Sequence, residues 1–385
     1  MEMIGFLLEK SFKMKKGYIE GYYGRLFSKE EREMVVNHMG NLKMDFYIYG
    51  PKEDPYHRLN WQKLYPKKQC NELKAFLRSS NKNKIKPVFA LSPGMSMDSG
   101  STKDIRSLTN KINQAKKLGF RHFAIFFDDL DQKKDQNLAS SHAEILELVS
   151  KLLKNLKGSS LMFCPTIYCN SFAKGDLLNN DYLLGLASKV HKSIPLLWTG
   201  REVVSSNIKD TDISSLKNIF KNPVIIWDNY YANDYCTNKF FIGSYSGRSV
   251  SKKTISAIGM NPTGMAITDC IILDRFVLKK STSEVLQDYG IPRSFMKIFP
   301  YFNGPFKNSS KKLDLKTIES IQKAEKELCI DWKSDLQLEW SQHLWRFFGD
   351  LHLLKKRIKK ENKKKLEEFV KRRYSEPLSQ QLLDE

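Results

Sequence analysis

Short apolar or aromatic runs recur along the first 260 residues, each followed by polar loop residues and then by a helical pattern. They fall at 18–22, 44–49, 87–91, 122–127, 161–164, 195–198, 224–227 and 255–260. Within each run the apolar residues are consecutive, the mark of strands buried on both faces. The stretches 70–77, 105–118, 139–156 and 181–190 are amphipathic at helical spacing. Ser28-Lys-Glu-Glu31 reads as a capping box, its hydroxyl and carboxylate satisfying free amides at a helix start. Val35, Val36, Met39 and Leu42 continue that helix as one apolar face. Strand–helix alternation repeated eight times predicts an α/β fold, a parallel (β/α)8 TIM barrel. A doubly wound open sheet is the alternative, but the first strand lacks the GxGxxG turn such sheets often carry.

Beyond residue 280 the texture changes. Pro292, Pro300, Gly304 and Pro305 break any period. Leu336, Trp340, Leu344, Phe347, Phe348, Leu351, Leu354 and Ile358 then recur at helical spacing and predict a long amphipathic helix that Gly349 weakens without ending. The expected organisation is an N-terminal extension over 1–16, a catalytic barrel over 17–280, an irregular linker over 281–312 and a basic helical appendage over 313–385.

The polar residues gather where each strand run ends. These ends read Glu20-Gly-Tyr-Tyr-Gly-Arg25, Tyr49-Gly-Pro-Lys-Glu-Asp54, Ser92-Pro-Gly94, Asp128-Asp-Leu-Asp131, Pro165-Thr-Ile-Tyr168, Trp198-Thr-Gly200, Asp228-Asn229 and Asn261-Pro262. In a barrel they converge on the C-terminal face, where active sites are built. Asp128, Asp129 and Asp131 crowd three carboxylates together, so at least one is expected to hold a proton near neutral pH. A helix cap or a metal-binding turn is the competing reading. Neighbours in a regular strand point to opposite faces, so Asp128 and Asp129 share the mouth only if the backbone leaves strand geometry there.

Ordinary two-carboxylate glycosidases set their acids about 5 Å or more apart on opposite sides of the sugar. Adjacent residues have Cα atoms only about 3.8 Å apart. Such a pair fits a substrate-assisted route in which a 2-acetamido oxygen attacks the anomeric carbon. One carboxylate holds the acetamido N–H and the other protonates the leaving oxygen, which demands an N-acetylated sugar. Lys52, at a strand end, is either a hydroxyl contact or a solvated lysine. Tyr168 is a site ring or a core ring. Trp227-Asp228-Asn229 and Asn233-Asp234-Tyr235 set Asn and Asp beside rings, which suits sugar binding and also ordinary turns.

Charge and cysteine usage bound the partners. The chain has 385 residues and a formal charge of +21, which attracts polyanions, although Lys- and Asn-rich composition alone gives the same excess. Residues 355–365, with Lys371-Arg-Arg373 beyond, form a basic run that reads as a nuclear-import signal, a polyanion contact or a solvated helix face. Six scattered cysteines without a CxxC pair suit a reducing compartment. The apolar stretch at 4–8 has no basic segment before it and no small-residue cleavage site after it, so no secretory signal is expected. No apolar run approaches the ~20 residues of a bilayer span. The expectation is therefore a cytoplasmic protein with no membrane contact. The histidines show no ligand spacing, and no metal or cofactor is expected.

These motifs resemble glycoside hydrolase family 84, which includes the animal protein O-GlcNAcases and bacterial β-N-acetylglucosaminidases. The resemblance rests on Gly17-Tyr-Ile-Glu-Gly-Tyr-Tyr-Gly-Arg25, Tyr49-Gly-Pro-Lys-Glu-Asp54, Phe126-Phe-Asp-Asp-Leu-Asp131, Phe163-Cys-Pro-Thr-Ile-Tyr-Cys169, Leu197-Trp-Thr-Gly200, Trp227-Asp-Asn-Tyr-Tyr-Ala-Asn-Asp-Tyr235, Gly243-Ser-Tyr-Ser-Gly-Arg248 and Asn261-Pro262. It implies that Asp128 orients and polarises the acetamido group and that Asp129 is the general acid and then base. By the same resemblance, Gly21, Lys52, Asn229, Asp234 and Asn261 hold sugar hydroxyls or the acetamido group. Tyr168 and Trp227 would line the acetamido pocket, with Tyr23 near the leaving group. Leu26-Phe27 stands where the family often has Pro-Trp, and Tyr231 replaces a frequent His. The implied substrates are O-GlcNAc-modified intracellular proteins, or other GlcNAc-containing glycans in a hexosaminidase or hyaluronidase. Helical stalks pair between subunits in the family, so a homodimer is a candidate assembly. A non-catalytic barrel binding sugar or nucleic acid is the reading from another class.

Overall fold

The computed structural model describes residues 14–130, 134–174, 176–306, 312–359 and 377–378. Asp131, much of the extension over 1–16 and most of the basic run 355–373 lie outside the described residues. The chain divides into two compact units, Met1–Tyr230 with Ser246–Gly264, and Tyr231–Tyr245 with Met265–Glu385.

The first unit alternates strands and helices in the predicted order: β1 (Lys15–Glu20), α1 (Lys29–Asn41), β2 (Phe46–Tyr49), α2 (Lys67–Lys82), β3 (Lys86–Leu91), α3 (Thr102–Leu118), β4 (His122–Phe126), α4 (Gln136–Leu153), β5 (Ser160–Cys164), α5 (Asp181–Lys189) and β6 (Leu196–Trp198). A two-residue strand β7 (Ile208–Lys209), then α6 (Asp210–Ile219), β8 (Val224–Asp228), a second short strand β9 (Arg248–Ser249) and β10 (Ala257–Met260) complete it. Eight strands close a parallel barrel in the order β1-β2-β3-β4-β5-β6-β8-β10, with β10 returning to β1 through Lys15↔Ala257 and Tyr18↔Met260. The open-sheet alternative is thereby excluded. β7 and β9 pair separately through Ile208↔Arg248.

Alternate strand residues fill the barrel. Ile19, Phe46, Ile48, Val88, Ala90, Ala124, Phe126, Met162, Cys164, Leu197, Ile225 and Trp227 belong to one buried cluster. A Cβ on Gly17 would lie 2.2 Å from the Phe46 ring, so the bare backbone there makes room for that ring. The predicted capping box opens α1, with the Glu31 amide donating to Ser28 Oγ at 3.1 Å and the Ser28 amide to Glu31 Oε2 at 2.7 Å. Beneath the mouth, buried Glu20 takes both arms of Arg32 at 2.8 and 2.9 Å and the Tyr47 hydroxyl at 2.8 Å. Glu20 thus ties β1 to its neighbours.

The second unit contains α7 (Ala266–Val277), α8 (Thr282–Asp288), α9 (Leu315–Gln322) and α10 (Asp335–Ile358). The expected long helix is α10, and it runs through Gly349 with Leu336, Trp340, Leu344, Phe347, Phe348, Leu351 and Leu354 all buried. Glu339 accepts the Ile267 and Thr268 amides at 3.1 and 2.8 Å, satisfying donors at the start of α7 that no helical carbonyl can reach. The segment expected as an irregular linker forms α8 and two 3₁₀ turns, and it buries Phe295, Ile298 and Phe302 in this unit's core. Pro292 and Pro300 break the helical period yet suit the starts of short turns, where no amide proton is needed. Among the described residues no helix is long and apolar enough to cross a membrane.

Candidate active site

The adjacent acids reach the mouth by leaving strand geometry. β4 ends at Phe126, and Asp129 takes φ +54°, in the left-handed region. A non-glycine residue there carries local strain, of a kind that clusters at functional sites. The turn leaves Asp128 buried and Asp129 exposed.

Lys52, at the end of β2, is itself buried and ion-paired with Asp128 Oδ2. The other oxygen, Asp128 Oδ1, is buried and has no hydrogen-bond donor among the described residues. The Lys52 ammonium lies 5.6, 5.7 and 5.9 Å from the ring centroids of Phe126, Tyr23 and Trp227, within cation–π range of three faces. The solvated-surface reading of this lysine is therefore set aside.

Asp129 is gripped by two phenols from opposite sides. Tyr23, in the loop after β1, donates to Oδ2 at 2.6 Å, and Tyr168, after β5, donates to Oδ1 at 2.8 Å. Asp129 is exposed at the mouth, yet the protein around its carboxyl desolvates it in part and pushes it up. The Lys52 charge, the two phenol hydrogen bonds and Arg58 outweigh it, and its pKa falls below the usual Asp value. Both phenols are pushed far up, by burial first and then by Asp129. The expectation that at least one of the three acids holds a proton rests on crowding alone; at Asp129 the lysine offsets that repulsion and the phenols favour the anion, and neither is visible in the sequence pattern.

A second network runs along β8, β10 and β1. Asn229 Oδ1 accepts from Trp227 Nε1 and from Asn261 Nδ2, both at 2.9 Å, and Asn229 Nδ2 donates to the Val203 carbonyl at 2.8 Å. Asn261 Oδ1 accepts the Gly21 amide at 3.2 Å. A Cβ on Gly21 would stand 2.4 Å from the Trp227 indole, so only glycine admits that ring. Nine of the ten expected site residues therefore lie in the first unit, joined by these contacts. Asp234 sits in a 3₁₀ turn, Asp234–Cys236, of the second unit.

Sequence reasoning missed Arg58, whose Nη1 donates to the Tyr23 hydroxyl at 2.8 Å. Its signal was position: a base in the loop leaving β2, six residues past Lys52. It also missed Arg248, which holds Asp228 in a bidentate pair, Nη2 donating to Oδ1 at 2.6 Å and Nε to Oδ2 at 2.8 Å. Among the described residues no group of three or more His, Cys, Asp or Glu is placed to hold a metal ion.

A family model described as beta-N-acetylglucosaminidase matches residues 16–276. The chain belongs to that family, family 84 of the glycoside hydrolases. It is 32% identical over 238 residues to the protein O-GlcNAcases of Mus musculus and of Rattus norvegicus, a stretch that is 60% of this chain and 26% of either relative. The chain thus spans about a quarter of the length of those relatives. A solved Thermobaculum terrenum O-GlcNAc hydrolase mutant superposes with a TM-score of 0.74 at 22% identity, over 89% of this chain and 83% of that one. At that identity the likeness speaks to the fold.

Proposed function

We propose that the protein is a retaining β-N-acetylglucosaminidase that removes O-linked GlcNAc from Ser or Thr of intracellular proteins by substrate-assisted catalysis. The observation that carries this reading is Asp128 Oδ1, a buried acceptor with no donor among the described residues. An acetamido N–H satisfies such an acceptor when substrate is bound. Family membership and the named relatives support the sugar and the protein substrate.

In the first step the acetamido oxygen bonds to the anomeric carbon while the bond from that carbon to the Ser or Thr oxygen breaks. Asp129 gives its proton to the departing oxygen, and Asp128 accepts the acetamido N–H and balances the charge of the oxazoline. Water then attacks the anomeric carbon, Asp129 takes its proton, and the acetamido bond breaks. Two inversions leave the configuration retained. Asp129 must be protonated at the start, so the bound sugar has to exclude water from it and draw it away from the donors that now favour its anion. Lys52 keeps Asp128 in place as a charged acceptor. Asn229 and Asn261, oriented by Trp227 and the Gly21 amide, are assigned the sugar hydroxyls. Six free thiols fit a reducing compartment.

The test is hydrolysis of an aryl GlcNAc beside the matching aryl glucoside. Only the acetamido sugar should react, and equal turnover of both would overturn the substrate-assisted reading. Release of GlcNAc from glycopeptides but not from hyaluronan separates the protein-directed role from the glycan-degrading one.

A further inference from the structure

The two ends of the barrel differ in charge. The segments entering the N-terminal ends of the strands, opposite the mouth, are rich in bases. Exposed Lys43, Lys84, Arg121, Lys157, Lys192 and Lys221 stand within four residues of the starts of β2, β3, β4, β5, β6 and β8. The exposed pair Lys252-Lys253 precedes β10. Only one acid occurs in these connections, Asp45, and its Oδ2 is taken by the Lys16 amide at 2.8 Å. Among the described residues none of these exposed bases forms an ion pair. At the mouth, by contrast, acids outnumber bases: Arg58 and Lys52 lie among Asp128, Asp129, Glu53 and Asp54.

A compositional excess of lysine would load both ends alike. Helix macrodipoles draw bases to helix C-termini, for about 0.3–1 kcal/mol each. They do not account for Lys252-Lys253, which follow a strand rather than a helix. The apolar residues of the same connections, Leu42, Ile85, Phe120, Ile194, Phe220 and Ile255, are buried beneath the lysines. Among the described residues of these connections the exposed side chains are polar or charged, with His191 the one exposed ring. This end offers ammonium and guanidinium groups on a rim roughly 15 Å across at the backbone, from eight strands about 4.8 Å apart tilted about 36°.

We propose that this basic rim binds double-stranded nucleic acid through its phosphates, without reading sequence, while the mouth faces away. A duplex carries one charge per ~1.7 Å of axis and releases condensed counterions when lysines replace them. An anionic bilayer carries no such linear charge density, and adsorption without an apolar anchor gains only about 1 kcal/mol per base.

The experiment is anisotropy of a labelled 20-base-pair duplex with the full chain across a salt series. Three variants are compared: K43Q/K84Q/R121Q, K192Q/K221Q/K253Q, and a chain with lysines 359, 360, 363, 364 and 365 changed to Gln. Each half-rim variant should weaken binding at least tenfold and lower the slope of log K against log salt by up to about 2.7, at about 0.9 per lost contact. The C-terminal variant should keep most of the affinity. Thermal melts of each variant, and turnover of an aryl GlcNAc, show whether it is folded. Loss of binding only in the C-terminal variant overturns the proposal. So does failure of the unmodified chain to bind duplex near 100 mM salt, or rim-dependent binding to phosphatidylserine vesicles with none to duplex. Wild-type binding that does not weaken with salt overturns it without any variant.

Discussion

Arg58 donates to the Tyr23 hydroxyl at 2.8 Å, and that hydroxyl donates onward to Asp129 at 2.6 Å. The relay turns a loop arginine into a means of setting the acidity of the proposed general acid. A donor to a carboxylate favours its anion, so removing the donor raises the pKa. Tyr23→Phe should therefore move the alkaline limb of kcat/KM, measured on a substrate with a poor leaving group, to higher pH. Arg58→Gln should move it the same way by a smaller amount. A limb that stays in place in Tyr23→Phe would show that another group limits the reaction.

The two acids should respond differently to leaving-group quality. An activated phenolate leaves unaided, whereas a Ser or Thr alkoxide needs a proton. Asp129→Ala should thus lose about 10²–10⁴-fold on glycopeptides or alkyl glycosides and far less on a nitrophenyl glycoside. Asp128→Asn should slow both kinds of substrate, because its partner is the acetamido group common to them. Equal losses on both substrates in Asp129→Ala would remove it from the acid role.

The barrel was legible because a strand buried on both faces leaves an unmistakable run of apolar residues, and the strand ends then gathered the candidate residues at one mouth. Three features were not legible, each for a physical reason. The left-handed turn at Asp129 is a backbone property of a residue type that usually avoids it. Lys52 is buried only because Asp128 neutralises it, and sequence shows neither partner's depth. The Val203 carbonyl that orients Asn229 is main chain and leaves no residue signature. In residues 281–306 prolines masked short 3₁₀ turns whose rings complete a core.

Gly21→Ala tests how tightly the second network is packed. The new methyl would stand 2.4 Å from the Trp227 ring carbon, and the indole nitrogen holds Asn229, which in turn holds Asn261. Overpacking of this kind costs about 1–3 kcal/mol, and the strain falls on the wall proposed for the acetamido group. The expected result is a fall of roughly 10–100-fold in kcat/KM, by the same energy scale, with less change in melting temperature than in activity. Unchanged kinetics would mean that the Trp227 ring can shift without disturbing the sugar.

Acid should unfold the first unit through three histidines that take no part in the proposed chemistry. His57 is fully buried, with Nδ1 3.0 Å from the Ala90 carbonyl, and His142 lies flat on Phe127 at 3.8 Å with Nδ1 3.0 Å from the Tyr182 hydroxyl. Burial, with Lys52 adding for His57, pushes each down to about 3 from an ordinary 6.5. His122, on β4, is pushed down to about 4 by burial and by Lys86 and Arg121. Between those values the unfolded chain binds protons that the folded chain refuses, so stability is full above pH 6.5 and is lost as pH falls toward 3. Three such groups give a slope approaching about 4 kcal/mol per pH unit, at about 1.4 each. Urea unfolding at pH 7.5, 6.0 and 5.0 should reveal this decline. His142→Gln, compared with wild type over the same series, should flatten it by about a third while lowering stability at pH 7.5. A parallel decline in both proteins would mean that His142 accepts its proton without leaving the fold.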